Sequence, residues 1–220
     1  MGSHPFVPQK ESVIALLGLL AYGELVAFDR IATDAKLAPD LQKRATVAAM
    51  ASAEIRNYQR LSERIKELGG HPDEAMRPFV QAMDDFHDST RPHNWLEGLV
   101  KVYVGDSVAD DFFREIAQFL EPRDKALVLE VLHTPENGKF AVQEITAAID
   151  AEPSVAGRLA LWARRLVGEA LGQAQRVAAE HDLLTTIVLE GTGDLAKVSE
   201  LMKRLMHNHS ERMTVIGLNN

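Results

Sequence analysis

Apolar residues recur every three to four positions almost from one end of this chain to the other, and no stretch sustains alternation in steps of two. That period matches the helical turn and leaves nothing from which to build a sheet. Composition agrees: aromatic residues are only 6%, while Ala, Leu, Glu and Arg are abundant. Glycine and proline cut the pattern into rods. A first helix is predicted from a Ser12 N-cap to about Asp34, with the stripe Val13, Leu17, Leu20, Glu24, Phe28 and Ile31. A second runs from near Pro39 to Gly69-Gly70, and a short one from Asp73 to His87. Asn94 then caps a long helix through Leu120, with Leu99, Val102, Asp106, Asp110, Phe113 and Ile116 on its stripe. Pro122 restarts the chain, Thr134-Pro135 kinks the fourth long helix, Pro153 opens a fifth, and a last helix follows Gly191 to Gly193. The expected fold is all-α: a four-helix bundle with additional C-terminal helices.

With 220 residues, 46% of them hydrophobic, the chain has enough material for one large core. Residues 11–220 are expected to form a single domain, and residues 1–10 a disordered or vector-derived leader. The absence of cysteine excludes disulfides, thiolate metal sites and cysteine nucleophiles. No uninterrupted apolar run reaches the roughly 18 residues of a membrane span, and Val13 to Ala21 lacks the flanks of a secretory signal. A cytoplasmic protein without membrane attachment is the expectation. The net charge of −8 gives no support for a broad nucleic-acid surface.

The informative residues are acids standing where leucine would fit. Glu24, Glu54 and Asp106 each lie mid-helix on an apolar stripe, in three successive long helices. Burying an unpaired carboxylate is costly, so several such acids are expected to meet and be compensated together. Facing carboxylates inside a four-helix bundle are the ligand pattern of di-iron and di-manganese proteins, in which Glu-x-x-His places both donors on one face. Here the residue three after Glu54 is Asn57. On the fourth long helix two registers remain open. Reflection across the turn at Pro122 puts Glu136 level with Asp106, followed by Lys139. A literal Glu-x-x-His occurs at Glu130 and His133, level with Asp110.

The segments Ala21-Tyr22-Gly23-Glu24, Ala53-Glu54-Ile55-Arg56, Asn94 to Lys101, Tyr103-Val104-Gly105-Asp106 and Leu161 to Ala170 resemble one family over nearly the whole chain. It is the ferritin-like family related to the tRNA 2-methylthio-isopentenyladenosine hydroxylase, in its actinobacterial-type branch. The resemblance implies a non-haem di-iron oxidoreductase that activates dioxygen, with tRNA as a partner. Glu24, Glu54, Asp106, Glu136 and His133 would be the metal set. Asn57 and Lys139 depart from the pattern, since an amide is a weak ligand and an ammonium would take a metal's place. The reading is a degenerate centre, holding iron as a pair, as a single ion, or not at all. The alternative is a metal-free, non-catalytic scaffold acting through its surface as a homodimer; an iron-storage cage ranks last. Glu169 and Gln173 also fall on an apolar stripe near Arg164 and Arg165, where a buried Glu–Arg pair is the simpler account. The helix glycines Gly18, Gly23, Gly98, Gly105, Gly168 and Gly172 are expected to allow close helix contact.

Overall fold

The computed structural model describes residues 8–133, 135–193 and 195–218, with the side chains of 135–137, 190, 192 and 195 outside that description. No strand occurs among the described residues. Helix α1 spans Lys10–Asp34 and α2 spans Leu41–Glu67. They form the most extensively packed helix pair. Helix α2 starts two residues after Pro39, and Asp40 caps it, its side chain accepting from the Lys43 amide at 2.8 Å. Ser12 caps nothing: α1 begins two residues earlier, and Ser12 is buried within it. Gly69 ends the hairpin's second arm with φ +79°, a conformation a side chain would resist.

The connector, expected as one helix, is two: α3 (Pro72–Met76) and α4 (Val80–Ser89), joined by a 3₁₀ turn containing Pro78. Asn94 caps α5 (Trp95–Val100) by accepting from the Glu97 amide at 3.0 Å. A π-helical stretch, Lys101–Asp106, then widens the turn before α6 (Ser107–Ile116) resumes. The wider turn re-phases the stripe, so Val104 takes the fully buried place expected of Val102. Helix α7 (Pro122–Val131) stops short of residue 133, and α8 runs Pro135–Ala151. The expected fifth helix divides at His181 into α9 (Val155–Glu180) and α10 (Asp182–Thr192), followed by α11 (Leu195–Val215). No glycine or proline marks that division.

Two apolar clusters fill the interior. One joins Leu17, Leu61, Ile116 and Val128; the other joins Val104, Ile145, Leu166 and Met213. A smaller group, Ile31, Val47 and Ala51, closes the far end of the α1–α2 hairpin. Glu24 and Glu54 fall between Leu17–Leu61 and Ile31–Val47 along their helices, so a polar layer interrupts the apolar packing. The segment Lys10–Leu37 is long and apolar enough to cross a bilayer, with mean hydropathy 1.7 over its most apolar window. That differs from the expectation drawn from uninterrupted runs. Here 56% of the window is buried inside the molecule. Of the six helix glycines named above, Gly18 alone answers fully to the close-contact expectation: a Cβ there would lie 2.3 Å from the Ala75 carbonyl oxygen. Gly23 would meet only the flexible end of Met83, and Gly98, Gly105, Gly168 and Gly172 face nothing within 4 Å.

Candidate acid-imidazole centre

Glu24 and Glu54 are 6% and 2% exposed, from facing positions on α1 and α2. They share a hydrogen bond. Burial, reinforced by that bond and by repulsion from Glu54, pushes the Glu24 carboxyl up to about 10, so it holds a proton at neutral pH. Asn57, in the place of the expected imidazole, donates its Nδ2 to Glu24 Oε2 at 3.2 Å and to the Val131 carbonyl at 3.0 Å. The amide thus ties α2 to α1 and to the end of α7.

Asp106 and His133 complete the layer. Because α7 ends at Val131, His133 is not helical, and the spacing argument for Glu130-x-x-His133 does not apply. Glu130 points outward at 61% side-chain exposure and pairs with Arg60. His133 instead turns inward. Its Nδ1 lies 3.0 Å from Asp110 Oδ1, and its backbone amide donates to Asp110 Oδ2 at 3.1 Å. Its Nε2 lies 3.4 Å from Asp106 Oδ2 and 3.7 Å from Glu54 Oε1. Burial alone would depress the imidazole, but Asp106, Asp110 and Glu54 outweigh it and hold its pKa well above the usual value. Burial raises Asp106 to about 7.

Lys139 is exposed and lines a cavity rather than entering the acid layer, contrary to its expected inward place. The Glu136 side chain lies outside the described residues. Glu169 is half-buried rather than locked in a buried ion pair, and Arg165 donates to the Ser89 carbonyl at 2.6 Å. Gln173 is buried, its Oε1 without a hydrogen-bond partner among the described residues. Sequence spacing also missed Lys101, a buried ammonium on the π-helical turn that donates to the Thr90 carbonyl at 2.8 Å. Burial lowers its pKa to about 8. A lysine one place from an apolar stripe gives no signal by itself.

Among the described residues, no three His, Asp or Glu side chains are already drawn together as a ligand set. The donor chemistry nevertheless fits a cation. Asp106 Oδ2 and His133 Nε2 are both buried, face one another, and have no hydrogen-bond partner among the described residues. A spacing of 3.4 Å is close to that of two donors on one cation, each about 2.1 Å from it. Asp110 on the far ring nitrogen would orient the imidazole as carboxylates do for metal-bound histidines. A cavity of about 590 Å³ reaches this point, lined in part by Asp106, Asp110 and His133.

A helical bundle crossed by a buried layer of carboxylates and one imidazole belongs with the ferritin-like proteins. The family model described as a ferritin-like domain of actinomycetes matches residues 8–191, and the chain belongs to that family. No curated protein matches the chain.

Proposed function

We propose that this chain is an oxygen-activating ferritin-like protein of the hydroxylase type, with its acid–imidazole layer as a site for one iron ion. Glu24, Glu54, Asp106 and His133 would hold it, and Asp110 would orient His133. Bound iron would supply dioxygen activation. The observation that carries the reading is the buried Asp106 Oδ2–His133 Nε2 pair, 3.4 Å apart without a hydrogen bond between them, beside a cavity. One cation would bond both atoms in place of that long contact. Around the site, Glu24 and His133 hold protons that a cation would displace. Asn57 removes the second imidazole, which favours a single ion over a pair. Anaerobic titration of chelator-treated protein with Fe(II) should give about one ion per chain. Glu54→Gln and His133→Ala should abolish binding, with oxygen uptake restricted to the loaded wild type. Failure of any divalent first-row metal to bind would overturn the proposal.

A metal-free scaffold is the second reading. It is favoured by the way the His133 imidazolium and the Asn57 amide already offset part of the acids' charge. The same titration separates the two.

A further inference from the structure

The cavity beside the acid layer has a second polar region that the proposed iron site does not use. There Asp111 is shared by three donors. Arg212 of α11 donates to its Oδ2, Asn208 donates to the same oxygen at 3.1 Å, and Arg114 Nη1 lies 3.5 Å from Oδ1. One carboxylate therefore serves two guanidinium groups, while Asp106 and Asp110 on the same lining are engaged with His133. Arg212 Nη1 is buried and has no hydrogen-bond partner among the described residues. A guanidinium is always charged and offers its donors as a rigid fork that matches carboxylate and phosphate oxygens. The Arg212 side chain as a whole is 19% exposed and lines the cavity, where an anionic acceptor would pair with it. The rest of the lining includes Tyr103, Val142 and Val215, an apolar surface suited to the body of a small molecule, and the volume is in the range of ligand pockets.

We propose that Arg212, supported by Arg114, forms an anion subsite for a carboxylate or phosphate group on a ligand whose apolar body lies in this cavity. The subsite would orient such a ligand as substrate beside Asp106 and His133; that role, though not the binding itself, rests on the proposed iron centre. Arg212 belongs to α11, beyond residue 191, where the family match ends. Asp111 and Arg114 lie inside that match, so the subsite joins the matched domain to the C-terminal helix.

The test is calorimetry on the full chain, freed of metal by chelator, with octanoate, octyl phosphate and 1-octanol as probes. At least one anion should bind 10-fold or more tightly than the alcohol, and the better of the two identifies the headgroup. Arg212→Gln should weaken that anion by about 10- to 100-fold and leave octanol unchanged, the range expected for a charge-assisted hydrogen bond. Asp111→Asn removes the competing carboxylate and should tighten anion binding, a gain that damage to the fold would not produce. Equal affinity for all three probes, no binding of any, or weaker anion binding by folded Asp111→Asn protein would overturn the proposal. Anion selectivity in a chain that takes up no iron would sink only the metal reading. Iron uptake without anion selectivity would sink only the subsite.

Discussion

Replacing Glu24 with glutamine should stabilise the metal-free protein, although it alters a buried residue at the heart of the site. The Glu24 carboxyl titrates near 4.5 when unfolded and about 10 when folded. For an acid raised in this way, the contribution to stability is fully present below about pH 4.5 and is lost as pH climbs toward 10. At pH 7 the unfolded chain must take up a proton to fold. Each pH unit above 4.5 costs about 1.4 kcal/mol, roughly 3 kcal/mol by neutrality. Glutamine does not titrate. Its amide can donate to Glu54 as the carboxylic proton does, and its carbonyl can accept from Asn57. Urea unfolding in the presence of chelator should show Glu24→Gln more stable by about 3 kcal/mol at pH 7, a rise of about 6–12 °C in Tm for a chain this size. The gain should shrink steadily toward pH 5. A variant less stable than wild type at pH 7, or a gain independent of pH between 5 and 8, would refute the idea that Glu24 is buried with its proton.

Asp124 is 4% exposed and holds Arg64 through two hydrogen bonds of 2.6 and 3.2 Å. Asp124→Ala removes both bonds and leaves Arg64 its contact with Glu67 at 3.1 Å, so it should cost about 1.5–3 kcal/mol in urea unfolding. Gly18→Ala drives a methyl into the Ala75 carbonyl and should lower stability by about 1–3 kcal/mol. Gly168→Ala, with open space around it, should instead raise helix stability by up to about 1 kcal/mol. For Lys101 the folded pKa is depressed from 10.5 to about 8, so the wild type should gain roughly 3 kcal/mol as pH rises across that window. Any advantage of Lys101→Met measured at pH 7 should therefore fall by that amount by pH 10.5; a constant difference would show that Lys101 is not desolvated. Asn57→His should raise the iron stoichiometry above that of the wild type, and an unchanged ratio would mean that position 57 no longer faces a metal site.

The acids could be read from the sequence because helical periodicity converts spacing into direction. Glu24 and Glu54 share stripes with Leu17, Leu20, Ala51 and Leu61, so their burial follows from the same rule that buries those neighbours. Asp106 lies just where the rule breaks: the π-helical turn at Lys101–Asp106 shifts the stripe by a residue, which buries Lys101 and Val104 in place of Val102. His133 was reachable only in part. Its pairing with Asp110 was expected at the level of helix register, whereas the structure achieves it through a non-helical residue after α7. Lys139 falls outside the acid layer because α7 ends at Val131 and α8 starts as a separate helix at Pro135, whereas level-matching across two helices presumes one straight axis. Arg212 with Asp111, and Arg64 with Asp124, join residues about 100 and 60 positions apart. No local period encodes such pairs.

The energetics of the acid layer bear on whether it is used. Glu24 opposes folding by roughly 3 kcal/mol at neutral pH, a large fraction of the 5–15 kcal/mol that holds a typical domain together. Leucine at position 24 would remove that opposition and extend the apolar packing of Leu17, Leu20 and Leu61. Buried polar clusters replaced by apolar residues of similar volume often gain stability. A protein acting only through its outer surface has no physical need for the layer, nor for a cavity that leads to it. A bound cation would change the balance: it would displace the protons, bond Asp106 Oδ2 and His133 Nε2, and return as binding energy what the acids cost the folded chain. The layer is costly for a scaffold and favourable for a metal site, so the gain in unfolding stability on adding Fe(II) is the quantity that distinguishes them.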